Sequence, residues 1–281
     1  MTELSASTEK MYRSCINVMT SRNVNLESPQ DVLDFIMKSN KADSTKKTYI
    51  CAAMNFYKRN IHPFTVPKEF TAQFASFRQK IDKEVLEQIA SEKEQEKFVS
   101  WEDLLAAQKK WAEEVNWEDF TDARDFLIFS LYTLNDPVRA DYGEMRFSLN
   151  RPPKESKENW LWWGDKKKVF IFRNYKTVET YGEVKIPVSP ELEKVLTKWF
   201  TIKHISRDFL LGGSYTPNAL VKRVLVITQR RLGKKVGINI FRHSRITHEL
   251  QGEKAISEKA PLAANMLHSR STQESYRFID L

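Results

Sequence analysis

The chain has 281 residues, enough for one or two domains with a buried core. Hydrophobic residues make up 41% and aromatics 12%, which excludes a disordered chain, and 8 glycines with 10 prolines exclude collagen-like and linker-rich architectures. Lys and Arg outnumber Asp and Glu by 45 to 37, and the net charge of +8 arises in the C-terminal half, which points to a polyanionic partner.

From Ser5 to about Ile81 the apolar spacing is helical with a polar exterior. Met11, Cys15, Val18 and Met19 recur at helix intervals, and Ser28-Pro29 is a start signal for a helix carrying Val32, Leu33, Phe35 and Ile36. Ser44-Thr45 opens a third helix, with Tyr49, Ala52, Ala53, Phe56 and Tyr57 as its apolar face and Lys46, Lys47, Lys58 and Arg59 outside. Residues 83–97 are dense in charge and poor in apolar side chains, as in a solvated connector, and place a domain boundary near Gln95. A second unit opens on the capping-box-like Ser100-Trp101-Glu102-Asp103 and reaches the apolar run Phe126–Leu131, which predicts a buried helix. The period then changes, and 160–163, 168–172 and 182–188 read as short strands. Helical patterning resumes at Ser189-Pro190-Glu191-Leu192 and runs to Leu250, broken at Gly212-Gly213 and at Gly237. The expected fold class is mainly α with a small antiparallel β-sheet (α+β), in two domains, 1–95 and 96–281.

Several chemistries are excluded by their missing motifs: there is no Gly-x-x-x-x-Gly-Lys loop, no Gly-x-Gly-x-x-Gly after a strand and no Gly-x-Ser-x-Gly elbow. His243 and His248 stand five apart, not the four that put two zinc ligands on one helix face, and Cys15 and Cys51 fall in helical segments, so no metal is expected. No cofactor is expected either. No apolar run approaches the roughly 18 to 20 residues of a membrane span, and the cysteine usage fits a reducing compartment, so an intracellular, non-membrane protein is expected.

The chemistry-bearing residues gather late in the chain. Arg242-His243-Ser244-Arg245 leads into Thr247-His248-Glu249-Leu250, followed by Leu267-His268-Ser269 and then Tyr276. This order resembles the second conserved box of the tyrosine recombinase (phage integrase) family. That family has a first arginine just after an apolar helix, which Arg139 in Asn135-Asp136-Pro137-Val138-Arg139 matches, and a lysine in a β-hairpin turn, which Lys176 in Asn174-Tyr175-Lys176-Thr177 matches. The N-terminal helices are similar to the family's core-binding domain. Two departures stand out: the His of the family's His-x-x-Arg is Asn239, and the customary Thr-Gly ahead of the first arginine is missing. Five residues follow Tyr276, little of the C-terminal helix that many members exchange between protomers.

The resemblance implies metal-free DNA cleavage, which needs a nucleophile, neutralisation of the phosphoryl oxygens and a proton donor for the leaving 5′ oxygen. Tyr276 is the implied nucleophile, giving a 3′-phosphotyrosyl link. Arg139 and Arg242 are the clamp, for which a planar fork suits better than a point charge. Lys176 is the general acid, and His268 assists at a phosphoryl oxygen. Asn239 can hydrogen-bond but cannot shuttle a proton near neutral pH. Lys46, Lys47, Lys58, Lys222, Arg223, Arg230 and Arg231 are expected to touch the DNA backbone. The expected function is site-specific recombination or integration for a mobile or viral element, on double-stranded DNA, by a homotetramer assembled from monomers. A type IB topoisomerase and a non-cleaving DNA-binding accessory protein are the alternatives.

Overall fold

A computed structural model describes residues 4–61, 66–87, 92–203, 205–250, 262–267 and 276–277. The chain divides into two compact units, Met1–Glu87 and Gln88–Leu281, at a point inside the charge-dense 83–97 stretch.

The described residues of the first unit form four helices: α1 (Ala6–Ser21), α2 (Pro29–Lys38), α3 (Asp43–Asn60) and α4 (Lys68–Glu87). The Ser5 and Ser28 hydroxyls cap α1 and α2, and Pro29 occupies the first turn of α2, where its missing N–H has no helical partner to lose. α3 is the central element. Its Tyr49, Ile50, Ala52, Ala53 and Tyr57 are buried together with Met19, Val32, Ile36, Phe70 and Phe77. Tyr57 meets Phe70 edge-on at 5.2 Å. Cys15 and Met19 face this core, whereas Met11 and Val18 of the same helix are exposed.

The second unit begins with α5 (Glu92–Lys97), α6 (Trp101–Glu114) and α7 (Phe120–Thr133). Ser100 caps α6 through Asp103 N, as its capping-box spelling predicts. All residues of α7 from Asp125 to Thr133 are buried, so this helix forms the centre of the unit. A four-stranded sheet follows, β1 (Arg146–Ser148), β2 (Trp160–Trp163), β3 (Lys168–Phe172) and β4 (Val184–Pro187), in sequential order. β2–β3 and β3–β4 are antiparallel, but β1 pairs with β2 in parallel, so the sheet is mixed and not the purely antiparallel one expected. Three residues are too few to show a period-2 pattern, which is why β1 is invisible in the sequence. Leu161, Phe170 and Ile186 align across the sheet on its core side. The segment between β3 and β4 contains the one-turn helix α8 (Val178–Tyr181). Then come α9 (Pro190–Trp199), α10 (Pro217–Leu232) and α11 (Ile238–Glu249). α10 stops at Gly233, whose φ of 72° is a left-handed cap. Phe241 of α11 packs edge-on against Phe129 of α7 at 5.6 Å, and this contact sets the rotation of α11 about its axis.

Candidate active site

Because Phe241 faces α7, the next residue, Arg242, points into the seam between α11, the loop after α7 and the 262–267 segment. It is fully buried. Its Nη1 donates to the carbonyls of Pro137 (2.9 Å) and Met266 (3.0 Å), and its guanidinium lies 4.9 Å from the centre of the Tyr276 ring and donates to the Tyr276 side chain. Burial lowers the Arg242 pKa from its ordinary value, with Arg139 nearby adding to the push and Tyr276 opposing it. A guanidinium remains charged through such a shift.

Arg139 sits where the chain leaves α7. Tyr132, buried in α7, donates its hydroxyl to the Arg139 carbonyl at 3.0 Å, which fixes the backbone from below. Arg139 Nη1 donates to the Leu267 carbonyl at 3.4 Å. Thr177 Oγ1 donates to the same carbonyl at 3.2 Å. Leu267 holds φ at 57°, a left-handed conformation rare for a branched side chain, at the point where its carbonyl receives both donors. The turn bearing Lys176 and the loop bearing Arg139 therefore meet at one backbone oxygen. Lys176 itself is exposed at the tip of its turn. His268 follows Leu267 directly in sequence and lies outside the described residues.

Tyr276 is held from two sides. Its ring packs with Ile246, Leu250, Leu262 and Met266, and its carbonyl is 2.8 Å from His243 Nδ1, with the two rings 4.7 Å apart. A carbonyl acceptor requires the proton on Nδ1, and burial pushes the His243 pKa down, so a neutral imidazole orients the tyrosine's backbone. Asn239 stands apart from this group. It is exposed in the first turn of α11 and makes no hydrogen bond with the cluster among the described residues.

Two residues that the sequence reading missed join the cluster. Asp141 follows Arg139 by two, and its Oδ2 is buried without a hydrogen-bond partner among the described residues. Burial raises its pKa to about 6, although Arg139 and Arg242 both pull it down. Asn159, 7% exposed, uses its whole side-chain amide. Nδ2 donates to the carbonyls of Asp141 (3.2 Å) and Asn174 (2.8 Å), while Oδ1 accepts from the N–H groups of Arg173 (2.9 Å) and Asn174 (2.8 Å). It ties the Arg139 loop to the start of the Lys176 turn. The only sequence signal for it is an asparagine placed immediately before a tryptophan-rich strand.

The expected backbone-contacting cations divide into two groups. Lys58, Lys222 and Arg230 are exposed, Arg230 also lying 3.7 Å from the Asp125 carboxylate, and Lys46 and Lys47 are half-buried on α3, Lys46 donating to the Met37 carbonyl at 3.3 Å. Arg223 makes a two-pronged ion pair with the fully buried Asp125 at 2.6 and 2.7 Å. Arg231 bridges Glu114 (3.1 Å) and Asp122 (3.2 Å) and lies 3.9 Å over the Trp111 ring. These two guanidiniums are engaged inside the fold, joining α10 to α6 and α7. Among the described residues no group of three or more His, Cys, Asp or Glu side chains is placed to hold a metal ion, and no helix is long and apolar enough to cross a membrane.

No protein-family model matches the chain, and no curated protein matches it. Among solved structures it is similar to a mutant of the protelomerase TelA complexed with a DNA hairpin product, at a TM-score of 0.45 and 11% identity, over 98% of this chain and 89% of that one.

Proposed function

We propose that the protein is a DNA strand-transfer enzyme of the tyrosine-recombinase kind. The observation that carries this reading is the convergence of Arg139, Arg242 and the Lys176 turn on the 266–267 backbone, with Tyr276 packed against Arg242 and Met266, from four separate stretches of sequence. A guanidinium hydrogen-bonded to a tyrosine side chain, with a second guanidinium close to the first, makes a site suited to a phosphodiester that receives a phenolic nucleophile.

In this reading the Tyr276 oxygen attacks the scissile phosphorus, the P–O5′ bond breaks, and a 3′-phosphotyrosyl bond forms. The phenol proton passes to water as the nucleophile attacks, and the departing 5′ oxygen takes a proton from Lys176. Arg139 and Arg242 hold the non-bridging oxygens as negative charge builds on them, and Arg242 also lowers the cost of the phenolate. Religation runs the same steps backward, with no nucleotide consumed. His268, next to Leu267, is assigned as a further donor to a phosphoryl oxygen.

We assign the backbone grip to Lys46, Lys47, Lys58, Lys222 and Arg230, the cations that the fold leaves accessible or partly so. The biological use proposed is site-specific recombination, integration of a mobile or viral element first, by four protomers on two duplexes. The test is trapping of a covalent protein–DNA adduct in EDTA, with Tyr276→Phe as control. Adducts on any supercoiled plasmid, with relaxation by monomers, would select the type IB topoisomerase reading. DNA binding with no adduct on any substrate would select the accessory-protein reading.

A further inference from the structure

On the side of the sheet away from the core lies a cavity of about 500 Å³ that the strand-transfer reaction does not use. Its lining contains five cations, Arg151, Lys154, Lys167, Arg173 and Lys185, against one carboxylate, Glu183, with Trp162 among them. Arg173 is the built part. Its side chain is 12% exposed, its Nε pairs with Glu183, and its Nη1 donates to the carbonyls of Pro153 and Ser156. Those bonds draw the loop between β1 and β2 over the cavity and bring Arg151 and Lys154 to its rim. Glu183 is already shared by Arg173 and Lys185. Arg151, Lys154 and Lys167 are exposed and make no ion pair among the described residues. Like charges gathered in a concavity repel one another until an anion neutralises them.

A cavity of this size admits one nucleotide and excludes a duplex. An aromatic side chain among cations is the composition that holds an unpaired base with its phosphates. Arg173 also lies three residues before Lys176, whose turn delivers the proton to the leaving strand in the mechanism above. We infer that this cavity is a single-strand site, which takes the phosphates and one base of the DNA strand released at the 5′ oxygen. The inference rests on the strand-transfer reading and adds to it a place for the leaving strand.

The test uses the full chain with the substitutions Arg151→Glu, Lys154→Glu and Lys167→Glu together, and a short oligothymidylate as probe. Three lost phosphate contacts should reduce the slope of log affinity against log salt by roughly 2, at about 0.7 per contact for single strands. Reversal of Lys109, Lys110 and Lys194, exposed elsewhere on the same unit, gives the same change in net charge as a control. Trp162→Phe should abolish the part of the fluorescence quenching that the oligothymidylate causes. Equal loss of slope in both triple variants would overturn the site, since it would show only the field of the whole molecule. Quenching by inorganic phosphate as strong as by oligothymidylate would assign the cavity to a free anion and overturn the strand assignment. Failure of the broader reading is seen separately, as absence of the Tyr276 adduct in the unaltered chain.

Discussion

At the scale of single residues, Asn159 and Asp141 turn the cluster from a set of contacts into a set of measurements. Asn159 joins two loops through four hydrogen bonds, so Asn159→Ala should let the Lys176 turn drift from the phosphate. Its cleavage rate should fall by about 100-fold or more, the scale set by loss of one preorganised donor. A substrate whose 5′ bridging oxygen is replaced by sulfur tests the cause. A thiolate leaves without a proton, because its pKa is several units below that of an alcohol. Cleavage of that substrate should be nearly normal in Asn159→Ala if the defect lies in proton delivery, and as slow as the ordinary substrate if the whole site has collapsed. Asp141 gives the pH dependence. Its folded-state pKa of about 6 stands above the ordinary 3.8, so the folded protein holds this proton more tightly than the unfolded one. Its contribution is most favourable below about pH 4 and is lost as pH rises through about 6. Asp141→Asn should therefore gain stability relative to the unaltered chain between pH 4 and 7, read by urea denaturation at both. A gap that stays constant across that range would contradict a buried, proton-holding carboxyl.

Element by element, the sequence shows what periodicity can carry and hides what only packing decides. Ser28-Pro29, Ser100 and Ser189-Pro190 announce three helix starts, because caps are local chemistry. Arg139, Arg242 and Tyr276 can be picked out by their order along the chain, and the fold sets Arg242 over the Tyr276 ring and Arg139 on the Leu267 carbonyl next to the Met266 carbonyl that Arg242 binds. Asn159 and Asp141 are not legible, since a buried amide or carboxyl is defined by partners far away in sequence. β1 is hidden by its shortness, and its parallel pairing by the absence of any local signal. Arg223 and Arg231 show the opposite case: in sequence they are basic residues like Lys222 and Arg230, but the fold sets them on Asp125, Asp122 and Glu114, with Arg230 a more distant partner of Asp125. Arg223→Ala would leave the buried Asp125 carboxylate with only the longer 3.7 Å pair to the exposed Arg230, at a cost approaching the roughly 3–5 kcal/mol that breaking a buried ion pair typically carries. Denaturant unfolding should register that loss, while the salt dependence of DNA binding should be unchanged. Lys222→Ala should do the reverse, leaving stability intact and lowering the salt slope by about 0.9 on duplex DNA.

Over the whole molecule, the two units each enclose their own core, one around α3 and the other around α7. A fragment of residues 1–87 should accordingly melt cooperatively with a helical circular dichroism spectrum, and a non-cooperative melt would show that its core is incomplete alone. All of the residues assigned to the chemistry fall in the second unit, whereas the net positive charge is shared between the two, +3 in residues 1–87 and +5 in residues 88–281. In the proposed reading the first unit contributes the half-buried Lys46 and Lys47 and the exposed Lys58 to the grip on DNA and nothing to the cut. Strand transfer by this protein requires Tyr276 to become covalently attached to DNA. Purified protein incubated in EDTA with plasmids bearing or lacking the DNA that flanks its own gene, then quenched with detergent, should yield an adduct. That adduct should vanish in Tyr276→Phe and fall by about 100-fold to 1,000-fold in Arg242→Lys. An adduct that persists in Tyr276→Phe, or none on any DNA that the protein binds, would contradict it.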